Sequence, residues 1–328
     1  MISIPQHTCL RKLEKASVRK QNRSLTRVLA RFFTVNNLFQ PLKKISLLHK
    51  RKKKDPGATF LFAFLLAKLW RIGSAYATNI NIVPKNLQKR FGVIRFAPKS
   101  TFYDEIPCID QDSLEKFNDA IVQRAIVGQK QIIAMLDGHA MEVGSKNYAN
   151  AAWGATSSTH KFFGYKTLCT IIQGVDIVAK HLLLPDGKSP VPFAQEIVEQ
   201  TINITNRIDI LLMDREFTDF ALWAWLILQK IGFIIPAKDD NAVTKTIRRT
   251  LESTLYKKMD DTTEYYERLA YFPDLHQNLR VIFIKKKIVE NGEEKIKEYE
   301  LITNLADNYS TTDVIKLYPI RQGREDVF

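Results

Sequence analysis

Two aspartates of this 328-residue chain each follow a short apolar run. Asp137 ends the run QIIAMLD, and Asp214 ends the run IDILLMD. An Asp after a buried strand lies at the carboxyl end of that strand, where open α/β sheets place their ligand sites. Two carboxylates held together repel each other unless they share a proton or bind a cation. Mg²⁺ prefers such oxygen ligands and keeps substrate phosphates in its shell, so the pair indicates metal-dependent phosphodiester chemistry. Either Asp alone could instead be a helix cap or a turn residue.

A third acidic candidate, Glu325, lies in the C-terminal segment YPIRQGREDVF. Tyr318, Arg321 and Glu325 are spaced i, i+3, i+7, which places their side chains on one face of a helix. Tyr318 could also be a packing aromatic, and Arg321 could be a surface ion-pair partner. Because the segment stops three residues after Glu325 without a helix cap, we expect the final helix, 309–328, to be cut short.

The hydrophobic periodicity predicts the elements that must position these acids. From residue 131 the pattern indicates three strands, a helix, a strand, a helix and a strand, with the two aspartates at the ends of the first and fourth strands. A β-rich insertion then covers 238–305 and contains an Asn-Gly dipeptide at 291–292, which is typical of a hairpin. The final helix follows this insertion.

The first 125 residues are predicted to be a helical, basic, DNA-binding region. Residues 1–54 hold 15 Lys and Arg against one acid, Glu14, whereas the rest of the chain holds 34 of each sign. Apolar residues recur at helical spacing on one predicted face: Leu25, Val28, Leu29, Phe32 and Phe33. Arginines line another face at four-residue steps: Arg23, Arg27 and Arg31. A solvated tail is the alternative interpretation of this charge.

The three acidic motifs together resemble the insertion-sequence transposases of the DDE superfamily. AMLDGH carries Asp137, LLMDREFTD carries Asp214, and the Y-x2-R-x3-E segment carries Glu325. The last motif resembles the subgroup with the signature Y-x2-R-x3-E-x6-K, although its Lys would lie beyond Phe328. The resemblance implies an RNase H-like mixed sheet flanked by helices over 126–328, interrupted by the β-rich insertion.

The resemblance also implies roles for individual residues. Asp137, Asp214 and Glu325 would be the catalytic acids and would bind two Mg²⁺ or Mn²⁺ ions. Tyr318 and Arg321 would contact the DNA backbone near the cleaved end, where the planar guanidinium of Arg suits phosphate. Arg215, next to Asp214, would position DNA or could be a surface charge.

The expected function is that of a DNA transposase, which cleaves transposon ends and transfers the strands into target DNA. Its partners would be the terminal inverted repeats and the target, both double-stranded, and the chain would act as a homodimer. The alternatives are a nuclease or resolvase on the same scaffold without strand transfer, and a truncated, inactive remnant that binds DNA.

The expected location is the cytoplasm, in association with the nucleoid. Three widely separated cysteines provide neither a disulfide framework nor a zinc motif, which favours a reducing compartment. The most apolar run, 58–70, is shorter than the roughly 20 residues that span a bilayer, so no membrane partner is expected.

Overall fold

The computed structural model of the chain describes residues 28, 31–46, 48, 108–143, 151–155, 161–184, 189–252, 255–290 and 293–319. The chain divides into two compact units, Met1–Ala125 and Ile126–Phe328. Within the described ranges, no helix is both long and apolar enough to cross a membrane. Several predictions concern residues outside these ranges: Arg23, Arg27, Arg321, Glu325 and the apolar run at 58–70.

The described part of the first unit is mostly helical. Residues 31–35 are helical, and helices α1 (Phe39–Lys43) and α2 (Gln111–Ala125) follow. Helix α2 begins after Asp110, whose Oδ2 accepts a hydrogen bond from the backbone N of Ser113 at 3.1 Å and so caps the first turn.

The predicted apolar face of the N-terminal helix is only partly buried. Phe33 is 3% exposed, whereas Val28 is 66% and Phe32 is 47% exposed. The Phe33 ring lies 5.5 Å from the Phe39 ring and 6.1 Å from the Phe117 ring. Leu25 and Leu29, which share this predicted face, lie outside the described ranges.

The second unit contains ten strands and four helices among its described residues. The strands are β1 (Ile133–Glu142), β2 (Ala152–Ala155), β3 (Lys161–Ile172), β4 (Ile177–Leu184), β5 (Ile210–Met213), β6 (Gly232–Pro236), β7 (Lys257–Lys258), β8 (Thr263–Phe272), β9 (Gln277–Glu290) and β10 (Glu293–Thr303). The helices are α3 (Ala194–Thr205), α4 (Phe220–Leu228), α5 (Ala242–Arg249) and α6 (Thr311–Leu317).

All ten strands form one mixed sheet. Its order is β2-β3-β1-β5-β6-β10-β9-β8-β7, with β4 paired to β3. Strands β1, β5 and β6 are parallel neighbours, and every other pair is antiparallel. The antiparallel strands β1, β3 and β4, followed by the parallel crossover strands β5 and β6, form the RNase H-like arrangement. The predicted fold class is therefore confirmed.

Helices cover both faces of this sheet. On one face, the Thr170 hydroxyl of β3 shares a hydrogen bond of 2.6 Å with Thr201 of α3, and Trp223 of α4 packs 5.4 Å from the Phe233 ring of β6. On the other face, α6 packs through Val314. Strand β5 is therefore apolar at all four positions because it is buried on both sides.

The insertion continues the main sheet. Strand β10 pairs antiparallel with β6, with Leu301 opposite Pro236 and Thr303 opposite Ile234. Strands β9, β8 and β7 then add outward in turn. Consequently the last strand of the insertion is also a central strand of the domain, and it leads directly into α6.

Candidate active site

Asp137 and Asp214 occupy equivalent positions on neighbouring parallel strands. The register of β1 and β5 pairs Ile133 with Ile210 and ends with Leu136 opposite Met213, so the next residue on each strand is an aspartate. Neighbouring strands lie about 4.8 Å apart. Both aspartates are half-buried, at the edge of the sheet where the parallel strands end.

The side chains of both aspartates lie on the same face of the sheet, because side chains alternate along a strand. Met135 of β1 and Leu212 of β5 each precede an aspartate by two residues, and both belong to the core that α6 covers. The backbone of Asp214 is extended, with φ −80° and ψ 160°, and so continues the alternation of β5. We name this side of the sheet the acidic face.

Cys169 is the β3 neighbour of Asp137 in the register. Its thiol donates a hydrogen bond of 3.5 Å to the Asp137 carbonyl. Burial raises the pKa of the Cys169 thiol to about 12, and the negative charge of Asp137 adds to the effect. The thiol is therefore neutral at physiological pH, and it is a packing group in the site.

Asp214 also has the capping role that the sequence left open. Its Oδ1 accepts a hydrogen bond of 2.6 Å from the backbone N of Arg215 and so caps a 3₁₀ turn, Arg215–Phe217. This contact fixes the direction of the carboxylate at the end of β5. Capping is therefore compatible with a catalytic role, since it orients the side chain.

A cleft of about 730 Å³ opens at this edge of the sheet. Its lining includes Gly138–Ala140 of β1, Lys166 of β3, Asp214–Glu216 after β5 and Lys238–Asp240 after β6. The lining contains both basic and acidic side chains, with Asp214 but not Asp137 among the acids. Such a mixture suits a ligand with phosphate groups that also carries bound cations. The exposed Arg215 lies in this lining, as a phosphate-contacting residue would.

Glu216 lies close against β1. Its Oε1 is 2.8 Å from the position that a Cβ on Gly138 would occupy. A side chain at residue 138 would therefore displace the Glu216 carboxylate. This observation explains a glycine directly after Asp137, in the AMLDGH motif.

The sequence motifs do not mark Lys238, Asp239 and Asp240. These residues follow β6, the third parallel strand, and they line the cleft for the same reason that Asp214 does. The sequence feature that could have identified these three residues is the strand FIIPAK followed by two carboxylates. Recognising it requires knowing that β6 lies beside β5.

Helix α6 brings Tyr318, the first residue of the third motif, onto the acidic face. Its N-terminus is a capping box, in which the Ser310 hydroxyl and the Asp313 carboxylate each bond the other residue's backbone N. Val314 and Ile315 pack in the same core as Met135 and Leu212. Tyr318, which follows the helix, is 4% exposed and belongs to that core. Its ring is a packing group that seats the end of the helix on the sheet.

The described residues supply two of the three predicted acids. No group of three or more His, Cys, Asp or Glu among them could hold a metal ion, and Glu325 and Arg321 lie outside the described ranges. Two adjacent carboxylates nevertheless fit Mg²⁺, which proteins commonly bind through one or two carboxylates with water and substrate phosphates completing the shell.

The sequence profile of the family described as Transposase DDE domain matches residues 128–328, which is more than half of the chain. The chain belongs to this DDE transposase family. The matched range of the DDE domain begins five residues before β1 and includes the whole sheet, the insertion and α6. The comparison with curated proteins found no match.

Among solved structures, one similar to this DDE-family chain is a cryo-EM structure of a piggyBac transposase synaptic complex with hairpin DNA. The two chains share 13% sequence identity with a TM-score of 0.40. The alignment covers 93% of this chain and 57% of the piggyBac chain.

Proposed function

We propose that this protein is a metal-dependent DNA transposase that cleaves the ends of a transposon and joins them to target DNA. The observation that carries the proposal is the register of Asp137 with Asp214, within a DDE domain, on the face that α6 covers. Two adjacent acids of this kind favour a bound cation.

Asp137 and Asp214 would hold Mg²⁺ or Mn²⁺ through their carboxylate oxygens, and Glu325 is proposed as the third ligand of a two-ion site. When bound, such ions supply an activated nucleophile and stabilise charge on the transferring phosphoryl group. The protein's own contribution is to orient the acids: the strand register fixes Asp137, and the 3₁₀ cap fixes Asp214.

Cationic side chains of the domain would hold the DNA. Arg215, Lys166 and Lys238 line the cleft and are proposed to contact phosphates. We propose that Tyr318 seats α6 and that Arg321, three residues later, contacts the backbone near the cut end. The N-terminal arginines Arg23, Arg27 and Arg31 are proposed to bind transposon-end DNA through its phosphates.

The proposed reaction has two steps that balance without an energy source. In the first, water attacks a phosphodiester at the transposon end, and the leaving 3′-oxygen takes up a proton. In the second, that 3′-hydroxyl attacks a target phosphodiester and one P–O bond replaces another. Joining both ends requires two copies of the site, so we propose a homodimer on DNA.

A joining assay tests this function. The full chain, with Mg²⁺, is mixed with a labelled linear duplex that carries the DNA flanking its gene on both sides and with a supercoiled plasmid. We expect end cleavage followed by covalent transfer of label to the plasmid, and loss of both when EDTA is added. Cleavage without transfer would instead establish a nuclease, and DNA binding without cleavage would establish an inactive remnant.

A further inference from the structure

The hairpin β9–β10 projects beyond the edge of the sheet where the two aspartates lie. Strand β10 runs antiparallel to β6, and Leu301 pairs with Pro236, the last residue of β6. The preceding eight residues of β10, 293–300, therefore extend past the carboxyl ends of the parallel strands by about 27 Å at 3.4 Å per residue. Strand β8 accompanies this projection only as far as Thr263, opposite Lys286.

One side of this hairpin continues the acidic face. Ile282 and Ile284 of β9 and Leu301 of β10 pack in the core that contains Met135 and Leu212. Alternation along the strands then places a set of lysines on that same side. They are Lys286 on β9, Lys295 and Lys297 on β10, and Lys257, which pairs with Tyr265 on β7–β8. We name this set the lysine face.

The lysine face contains a repulsive pair. Lys286 and Lys297 are direct partners in the register of β9 and β10, and like charges directly opposite each other destabilise a sheet. Neither lysine forms a salt bridge with a described residue. Glu267, on the same side, is already bonded to Arg280 and Thr311.

The opposite side of the hairpin is internally neutralised. Lys285 lies 3.5 Å from the Glu298 carboxylate and 4.4 Å from the centroid of the Tyr256 ring. The adjacent Lys287 is exposed and pairs with Ile296. The lysine face also carries Glu293, two residues before Lys295 on the same strand. Its lysines outnumber its described acids, and the excess positive charge lies at the Lys286–Lys297 pair.

We propose that the lysine face binds the phosphate backbone of the duplex whose cut bond lies at Asp137 and Asp214, at a distance from that bond. The proposal rests on the proposed function, because DNA seated at the acids would run alongside a hairpin that projects from the same edge and presents the same face. The ligand is duplex DNA recognised through phosphate charge, so binding is independent of sequence and sensitive to salt. Phosphates between Lys286 and Lys297 would relieve their repulsion.

Equilibrium binding of a fluorescent 40-base-pair duplex in EDTA, across a range of salt concentrations, tests the lysine face without any cleavage. Lys286→Gln should weaken binding about fivefold to tenfold. It should also lower the magnitude of the slope of log binding constant against log salt concentration by about 0.9. The double variant Lys286→Gln/Lys297→Gln should lower the magnitude of that slope by about 1.8. The matched control is Lys287→Gln, one residue along the same strand on the other side. It should change affinity less than about twofold, although Lys287 is the more exposed lysine.

Equal losses for Lys286→Gln and Lys287→Gln, or an unchanged salt slope in the double variant, would overturn the proposal. A fold defect cannot mimic the expected result, because removing the repulsion should leave the double variant at least as stable as the wild type in a urea titration. Tighter lysine-dependent binding of single-stranded RNA of equal length would reject duplex DNA as the ligand. If these results hold while the joining assay fails, the lysine face stands and the catalytic proposal falls.

Discussion

The buried Arg280 on β9 and the half-buried Glu267 on β8 form an ion pair with 2.5 Å between Nε and Oε1. The same guanidinium donates through one terminal nitrogen to the carbonyls of Leu305, Ala306 and Tyr309, at 3.2, 3.2 and 2.8 Å. The other carboxylate oxygen of Glu267 accepts from the Thr311 hydroxyl, in the first turn of α6. The insertion therefore holds the segment that leads into α6, the helix that ends just before Tyr318.

Replacing Arg280 with Met should destabilise the protein strongly. The substitution removes the cation beside Glu267 and one donor from three carbonyls, of which that of Ala306 also accepts from the backbone N of Tyr309. Breaking a buried pair costs about 3–5 kcal/mol, and the half-buried Glu267 places this loss near the lower end. Urea unfolding of the full chain measures the change. The matched control is Arg268→Met, an exposed arginine on β8, which should change stability by less than about 0.5 kcal/mol. Equal effects would show that Arg280 has no special structural role.

The same ion pair predicts a pH dependence of folding. Burial would raise the pKa of Glu267, but the hydrogen bonds from Arg280 and Thr311 and the charges of Arg280 and Lys257 outweigh it and lower the pKa below its ordinary value of 4.5. A lowered pKa in the folded state adds stability that is present above pH 4.5 and is lost as pH falls through the lowered pKa.

Unfolding free energies measured between pH 3 and pH 6 check this dependence. The wild type should lose stability more steeply than Glu267→Gln as the pH falls below 4.5, because the amide has no proton to take up. Parallel curves for the two proteins would contradict the assigned role of Glu267.

Two glycines near the acids should respond differently to alanine. A Cβ on Gly164 would lie 2.0 Å from the Met141 backbone carbonyl oxygen, so Gly164→Ala forces strands β1 and β3 apart and should cost about 1–3 kcal/mol. A Cβ on Gly138 meets only the end of the Glu216 side chain, at 2.8 Å, and Gly138→Ala should change stability by less than about 0.5 kcal/mol. Thermal unfolding compares the two variants, and a larger loss for Gly138→Ala would contradict the described packing.

The sequence predicted the strands that carry the acids because their patterns are local. QIIAMLD and IDILLMD are apolar runs that end in a carboxylate. Strand β5 lies within its run, and β1 begins within its run and continues beyond Asp137 to Glu142. The register of Asp137 with Asp214 depends on pairing between strands about 75 residues apart in sequence, which periodicity does not encode.

Other features could not be predicted because they depend on tertiary contacts. Arg280 lies on a strand, where an arginine is usually exposed, yet it is only 7% exposed. Its partners are Glu267 and three carbonyls of the loop after β10. Pairing of β10 with β6 joins the insertion to the main sheet through backbone hydrogen bonds, which any sequence can make. The burial of Tyr318 follows from the position of α6 and not from its motif.

Asp137 and Asp214 are proposed to act together as one metal-dependent site. The rate of single-turnover nicking of end DNA in Mg²⁺ measures this. Asp137→Asn and Asp214→Asn should each lower the rate by at least about a thousandfold, and the double variant should be no slower than either one, because the two residues act as a unit. Asp274→Asn removes the same charge from the exposed turn Pro273–Leu275 and should stay within a few-fold of wild type. Nicking by Asp137→Asn at the wild-type rate would contradict the account.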